Sequence, residues 1–403
     1  MKIAFIADGR SNNFRRWVRY FVAEGDDVYL LSTYNCDPLE KVKLFILPTP
    51  LRVGNAFVKQ SSSSLEQPKK TNNYPSLLKI KLMKVMFSLW EQWNFLKLVN
   101  LPFQTFESKR KLNQIKPDLV IAFRTQNEGY IAALTTVACP KVLFTQGSDF
   151  IYMANRHKIQ AWLTGITVKI INALLSDCNR DIQLAKHYGF PADKPAKIFP
   201  GNGGVNLSVF EPGLAANRRK RWIVYPRGLT PYMKIDTFLE SVLALQQLPD
   251  YQDVQYTLLA TQSAIPVVEL MTRKKGIDMT MITIEPFLSQ SKLVSLLQQA
   301  AAIVSPSLTD GIPNTMLEAM ACGAFPIMSG LESIREWINH GENGFLFDPN
   351  QADELTTCLK LALDNIELRQ QAQTKNLEII RQRADCKITM PVMRKFLFDV
   401  AMK

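Results

Sequence analysis

The chain has 403 residues, with 48 lysines and arginines against 36 aspartates and glutamates, 47% hydrophobic and 21% charged residues, 18 glycines and 22 prolines. It is too long for one small core and too apolar for general disorder, so it reads as two globular domains. No apolar run reaches the roughly 18 to 20 residues of a bilayer span, and the apolar start Ile3–Ala7 stops at Asp8, which argues against export as well as spanning.

In chain order, Lys2–Ala7 reads as a short buried strand, Asp8 to Ser11 as a turn, and Phe14–Glu24 as a helix with Phe14, Trp17, Val18 and Phe21 on one side. Asp27–Ser32 returns as a strand, giving a βαβ opening of the doubly wound kind. The polar stretch Val58–Tyr74, with Ser61 to Ser64 in a row, reads as a mobile insert. Between Leu51 and Lys116, twelve cations meet three carboxylates, so this segment holds most of the net charge of +12. The cations are interleaved with Phe87, Trp90, Trp93, Phe95, Phe103 and Phe106, a pattern suited to an anionic surface, either a membrane leaflet or nucleic acid. No nucleic-acid motif accompanies the charge, which leaves the membrane ahead; the plain alternative is a solvated helix face with its aromatics in the core. Lys79, Lys81 and Lys84, with Leu78, Leu82, Val85 and Trp90, fit an amphipathic surface helix.

Leu119–Phe123 and Lys141–Thr145 are further buried strands, each followed by helical sequence. The segment Lys197–Pro212 reads as the first connection to a second half, which starts afresh after the basic run Arg218 to Arg221 with the strand Trp222–Tyr225. Strands Tyr256–Ala260, Ala302–Ser305 and Ala324–Met328 alternate with helices Ile235–Gln247, Gln290–Ala300 and Thr315–Ala321. Asp353–Arg383 is helical, and Met390–Met402 is a last helix able to pack back on the first domain. Two successive α/β units imply two sheets facing across a cleft, with ligands at the carboxyl ends of the strands. The six cysteines lie far apart and the three histidines have no helical ligand spacing, so free thiols and no structural or catalytic metal are expected.

The segment richest in chemistry runs from Pro306 to Gly323. Gly311 permits close backbone approach, Pro313 suits a first helical turn, and the helix that follows aims its free N–H groups and positive dipole end into the cleft, a natural seat for a phosphate. Asp310 before this helix and Glu318 within it are placed to straddle a ligand, and carboxylates suit sugar hydroxyls because one ionised group accepts from two neighbouring O–H groups. A second cluster, Tyr225 to Lys234, puts Arg227 and Lys234 on one loop, able to neutralise a leaving diphosphate without a metal.

Together the two clusters resemble the carboxyl-terminal domain of family-4 glycosyltransferases, retaining enzymes of the GT-B fold, in the glycosyl transferases group 1. That family's signature is two glutamates separated by seven residues and followed by Ala-Met-Ala-Cys-Gly; here Asp310 stands for the first and Glu318 is the second. Arg227 and Lys234 match the family's basic pair, with Ile235 where glycine is common. Phe199 to Leu207 resembles its domain-joining segment, and Gly341 to Phe347 the strand and turn after the signature helix.

The resemblance implies an α/β GT-B architecture: two Rossmann-like doubly wound domains, an acceptor-binding one over 1–200 (with the insert at 58–74) and a nucleotide-sugar-binding one over 201–383, then a helix at 384–403 packing back on the first. It implies that Glu318 holds the ribose hydroxyls, that Asp310 contacts the transferred sugar, and that Arg227 and Lys234 clamp the diphosphate. Gly9, Arg10, Ser11, Asn202, Gly203, Gly311, Ile312, Pro313, Asn314, Thr315 and Leu317 would complete the donor site. Asp is about 1.5 Å shorter in reach than Glu, which bears on the donor sugar. Gln146 stands where many members carry a histidine near the reacting sugar. Gln146 and Asp149 are candidates for the acceptor side, Asp149 equally a helix N-cap.

The implied activity is transfer of a sugar, of the hexosyltransferase type, from a nucleoside diphosphate sugar to a hydroxyl acceptor in glycan, lipopolysaccharide or exopolysaccharide assembly. No cofactor, metal or nucleic acid is implied. The implied place is the cytoplasm, peripherally on the inner face of the membrane through residues 76–116. Competing readings are an epimerase or hydrolase of the same fold, and a nucleotide-sugar-binding subunit without turnover. A dinucleotide oxidoreductase is weaker, because the first turn lacks Gly-x-Gly-x-x-Gly.

Overall fold

The computed structural model describes residues 1–50, 94–201, 203–230 and 232–403, with the side chains of 94–96 not included. The expected insert at 58–74, the surface helix carrying Lys79, Lys81 and Lys84, the aromatics Phe87, Trp90, Trp93 and Phe95, and Asn202 of the donor set lie outside that description.

The first domain runs β1 (Lys2–Ala7), α1 (Asn12–Ala23), β2 (Asp27–Ser32), β3 (Val42–Ile46), α2 (Leu101–Ile115), β4 (Leu119–Phe123), α3 (Tyr130–Leu134), β5 (Lys141–Phe144), α4 (Lys158–Ile170), β6 (Ala173–Ser176), α5 (Asn179–His187) and β7 (Ala196–Ile198). Among the described residues its seven strands are parallel, in the order β3-β2-β1-β4-β5-β6-β7. β1 is apolar almost throughout because helices cover both faces of the sheet and both sets of alternating side chains are buried. On one face, the Trp17 ring of α1 packs at a tilt 4.6 Å from that of Phe144, which lies 4.8 Å from Phe123. α1 starts two residues earlier than its apolar stripe indicates, because the Ser11 side chain accepts from the Phe14 N–H at 3.4 Å and caps the helix.

The second domain runs β8 (Lys220–Tyr225), α6 (Ile235–Gln246), β9 (Gln255–Ala260), α7 (Ile265–Lys274), β10 (Ile282–Pro286), α8 (Gln290–Gln299), β11 (Ala300–Ser305), α9 (Asn314–Cys322), β12 (Phe325–Ser329), α10 (Glu332–Arg335), β13 (Phe345–Phe347), α11 (Ala352–Asp364) and α12 (Ile366–Arg383). Its strand order, β10-β9-β8-β11-β12-β13, is the Rossmann order. The helical stretch 353–383 is two helices, because Asn365 ends the first and its side chain caps the second through Leu368 N–H at 2.9 Å.

The chain crosses between the domains twice, side by side. Val205 N–H donates to Ala384 at 2.6 Å and Cys386 N–H donates back to Val205 at 2.9 Å. The last helix, α13 (Cys386–Ala401), then buries Met390, Met393, Leu397 and Val400 in the core beneath α1. Arg394 of that helix and the amino group of Met1 converge on the buried Asp26 at 2.8–2.9 Å. Burial alone would raise the Asp26 pKa, but these two cations hold it below its ordinary value. The result is two doubly wound α/β domains facing each other, the GT-B architecture.

Candidate functional site

Each sheet reverses its winding between two central strands, β1 and β4 in the first domain and β8 and β11 in the second, and the segments leaving these strands wall the cleft. In the second domain the two segments are laced together. Lys234 N–H donates to Pro306 and Leu308 N–H to Tyr232, each at 2.9 Å, and Met233 pairs with Ser307 in an antiparallel bridge. The lacing brings Arg227, two residues past β8, onto Asp310, five past β11, and the two form an ion pair. Burial raises the Asp310 pKa and Arg227 opposes it. Lys234 stands at the start of α6 on the same loop, half-buried.

Pro313, buried and extended, is the N-cap of α9 rather than part of its first turn; Gly323, at φ 86°, ends the helix. Two N–H groups expected to face a phosphate are already held by carboxyl groups of the chain: Gly311 N–H by Asp310 at 3.0 Å and Ile312 N–H by Asp177 at 3.3 Å. Ile312 and Leu317 point into the apolar core with Val224 and Met316, so any ligand contact from them is through the backbone. Thr315 lies half-buried in the first turn, and Asn314 lies against Gly201 of the domain connection. Gly203 packs on Met390 of α13, not on α9. Glu318, half-buried one turn into α9, has its carboxyl pushed up to about 7 by burial, with Arg16 of α1 pulling the other way.

On the opposite wall, Gly9 N–H bonds the Ser32 hydroxyl at 3.1 Å. Arg10 forks onto Asp8 at 2.8 and 2.9 Å and lies 3.8 Å over the Tyr34 ring. Ser11 is committed to capping α1. Asp149 is fully buried and braces two loops: it accepts from Arg124 at 2.9 and 3.2 Å, from Thr125 N–H at 2.8 Å and from Gln146 N–H at 3.3 Å. It is neither open to the cleft nor the cap of its own turn. Gln146, beside it, is half-buried.

Three groups that the motifs do not point to complete the site. Glu128, after β4, is buried with its carboxyl pushed up to about 7 and accepts from the Thr33 hydroxyl at 2.6 Å; Asp8, Arg124 and Lys97 are charged groups near it. Its only sequence signal is one acid in the run Thr125 to Leu134. Asp177 and Arg180, after β6, reach across to the second domain. Arg180 donates to Gly147 at 2.8 Å in its own domain, and to Asp310 O at 2.7 Å and the Ser333 hydroxyl at 3.2 Å in the other. Gly147 and Gly311 touch so closely that a Cβ on Gly147 would lie 1.7 Å from Gly311 N. Glu336 adds a second tie by accepting from Asn179 N–H at 2.9 Å. Asp177, Cys178 and Asp181 bring one potential ligand atom each within 4.8 Å of one another. Arg180 pairs with Asp181 at 2.7 Å and supplies the positive charge there. Burial raises the pKa of both carboxyls, with Asp181 adding to the rise of Asp177 and Asp149 to that of Asp181.

Residues 220–365, which hold Arg227, Lys234, Asp310 and Glu318, match the family model described as glycosyl transferases group 1. That match lies within the second domain and covers about a third of the chain. Among curated proteins, an uncharacterized glycosyltransferase of Haemophilus influenzae is 34% identical over 95 residues, which is 22% of this chain and 26% of that one. An N,N'-diacetylbacillosaminyl-diphospho-undecaprenol alpha-1,3-N-acetylgalactosaminyltransferase of Campylobacter jejuni is 33% identical over 81 residues, 20% and 22% of the two chains. The matched stretches thus span about a quarter of these relatives. Solved structures extend the likeness of fold to both domains. Sucrose-phosphate synthase of Thermosynechococcus elongatus superposes over 99% of both chains with a TM-score of 0.74 at 14% identity. Anabaena HepE in complex with UDP-glucose superposes over 99% of this chain and 100% of its own, with a TM-score of 0.72 at 13% identity.

Proposed function

We propose that the chain is a retaining glycosyltransferase of family 4, which moves a sugar from a nucleoside diphosphate donor to a hydroxyl acceptor. The observation that carries this is the switch point of the second domain, where Arg227, Asp310 and the α9 amino end meet with Glu318 one turn further on. In this reading Glu318 receives the ribose hydroxyls. The diphosphate competes with Asp310 for Arg227, and once the ion pair opens, the Asp310 carboxylate is released to accept from hydroxyls of the sugar. Arg227, Lys234 and the helix end then stabilise charge building on the leaving phosphate, which two cations and a helix dipole supply without a metal. The acceptor enters on the same face, its proton passes to a phosphate oxygen, and no protein nucleophile takes part. The Arg180 tie and the Gly147–Gly311 contact hold the walls together and exclude water.

The acceptor proposed is a glycan or lipid-linked sugar, met on the inner face of a membrane during polysaccharide or glycan assembly. The Campylobacter relative, whose name specifies a lipid-diphosphate acceptor, supports that choice. No helix among the described residues is long and apolar enough to cross a membrane. The test is release of nucleoside diphosphate from UDP-, GDP-, ADP- and TDP-sugars in the presence of such acceptors. Lys234→Ala should lower turnover roughly 100-fold or more while the fold is kept. Undiminished turnover in that variant, or donor epimerised without acceptor, contradicts the reading.

A further inference from the structure

We propose that the outer face of the helical layer α2, α3 and α4 docks the chain on an anionic lipid bilayer. This deepens the peripheral placement proposed above by naming the surface, and it stands apart from donor binding. The three helices cover one face of the first sheet. α2 packs on α3 and α3 on α4, and their inward side chains, such as Leu112, Ile131 and Val168, share one core. Their outward side chains are also large and apolar, on every helix of the layer: Phe103 and Phe106 on α2, Leu134 on α3, and Ile159, Trp162 and Ile170 on α4. Phe106 is 72% and Trp162 63% exposed, an arrangement that costs free energy in water and gains it at a lipid interface.

Charge selects the occupant. α2 and α4 carry Lys109, Arg110, Lys111, Lys158 and Lys169 against the single carboxylate Glu107, which Arg110 already neutralises at 2.6 and 2.9 Å. Aromatic tips among unopposed cations match a bilayer whose surface is both negative and penetrable. A cavity of about 590 Å³ opens beside the same face between α4 and α5, lined by Trp162, Ile166, Leu184 and Tyr188 together with Lys169 and His187. Its wall is mixed, apolar at Trp162, Ile166 and Leu184 and polar at Asn155 and His187, and Lys169 at its edge suits an anionic headgroup.

The experiment is co-sedimentation of the full chain with phosphatidylcholine vesicles, with and without phosphatidylglycerol. A thermal shift with nucleotide sugar serves as the independent measure of donor binding. The wild type should bind the phosphatidylglycerol vesicles, more weakly as salt rises, and bind phosphatidylcholine alone poorly. The double variant F106E/W162E should lose binding, and Lys158→Ala and Lys169→Ala should each weaken it roughly fivefold, all with the donor response of the wild type. Phe398→Glu, at an exposed apolar position on α13, should bind vesicles normally. The proposal is overturned by a wild type that ignores anionic vesicles, by full binding of F106E/W162E, by loss of binding in Phe398→Glu, or by a wild-type dimer that F106E/W162E dissociates.

Discussion

Glu318 enters the cleft with a carboxyl that burial keeps half-protonated near neutral pH. Hydroxyl groups donating to it favour its ionised form, so a ribose bound there should lower its pKa and release a proton. Donor affinity is therefore expected to rise between about pH 6 and pH 8, with a binding heat that changes with the buffer because the buffer takes up the released proton, and Glu318→Gln should flatten the profile. Glu128 carries the same elevation, to about 7, but is sealed behind Thr33. With its folded pKa above the unfolded value of about 4.5, the native state holds more protons than the unfolded state across that window. The stability it contributes is full below about pH 4.5 and is lost as pH rises to about 7, by up to a few kcal/mol. Urea unfolding at the two ends of the window should show a smaller fall for Glu128→Gln than for the wild type.

At the level of elements, α13 ties the end of the chain to its beginning. Leu397, fully buried beneath α1, should cost about 2–5 kcal/mol when cut to alanine, seen as a lowered denaturant midpoint. The sequence makes this helix and the central strands legible because their apolar residues recur at one period over a full element. It leaves β3, β6, β7 and β10 unread: β7 is three residues long, and β3 at the sheet edge mixes Lys43 with Leu44 and Phe45 in partial burial. Such strands owe their place to neighbours already in the sheet. The same physics divides the site. Asp310 with Glu318, and Arg227 with Lys234, are legible because each pair lies within one short strand–turn–helix segment. Asp177 and Arg180 meet Ile312 and Asp310 across 135 and 130 positions of chain, and no local pattern records that contact. Asp149 is visible as an acid in a loop, but its burial against Arg124 is set by a strand 25 residues away.

For the molecule as a whole, Arg180 is one of the contacts, beside Asp177 and Glu336, through which both domains hold one geometry. Arg180→Met should cost about 3–5 kcal/mol, since Asp181 stays buried without its partner, and should raise the donor KM more than it changes kcat if the two walls must meet to bind. A loss of stability with KM unchanged would make Arg180 purely structural. The most direct measurement of the central claim, that a nucleotide sugar binds where Arg227, Asp310 and α9 converge, is a thermal-shift screen of UDP-, GDP-, ADP- and TDP-sugars on the wild type and on Glu318→Ala. A donor at about 100 times its Kd should add about 2.7 kcal/mol to the native state. The account predicts such a shift for one nucleotide class and its loss in Glu318→Ala; no shift for any donor, or an equal shift in the variant, would contradict it.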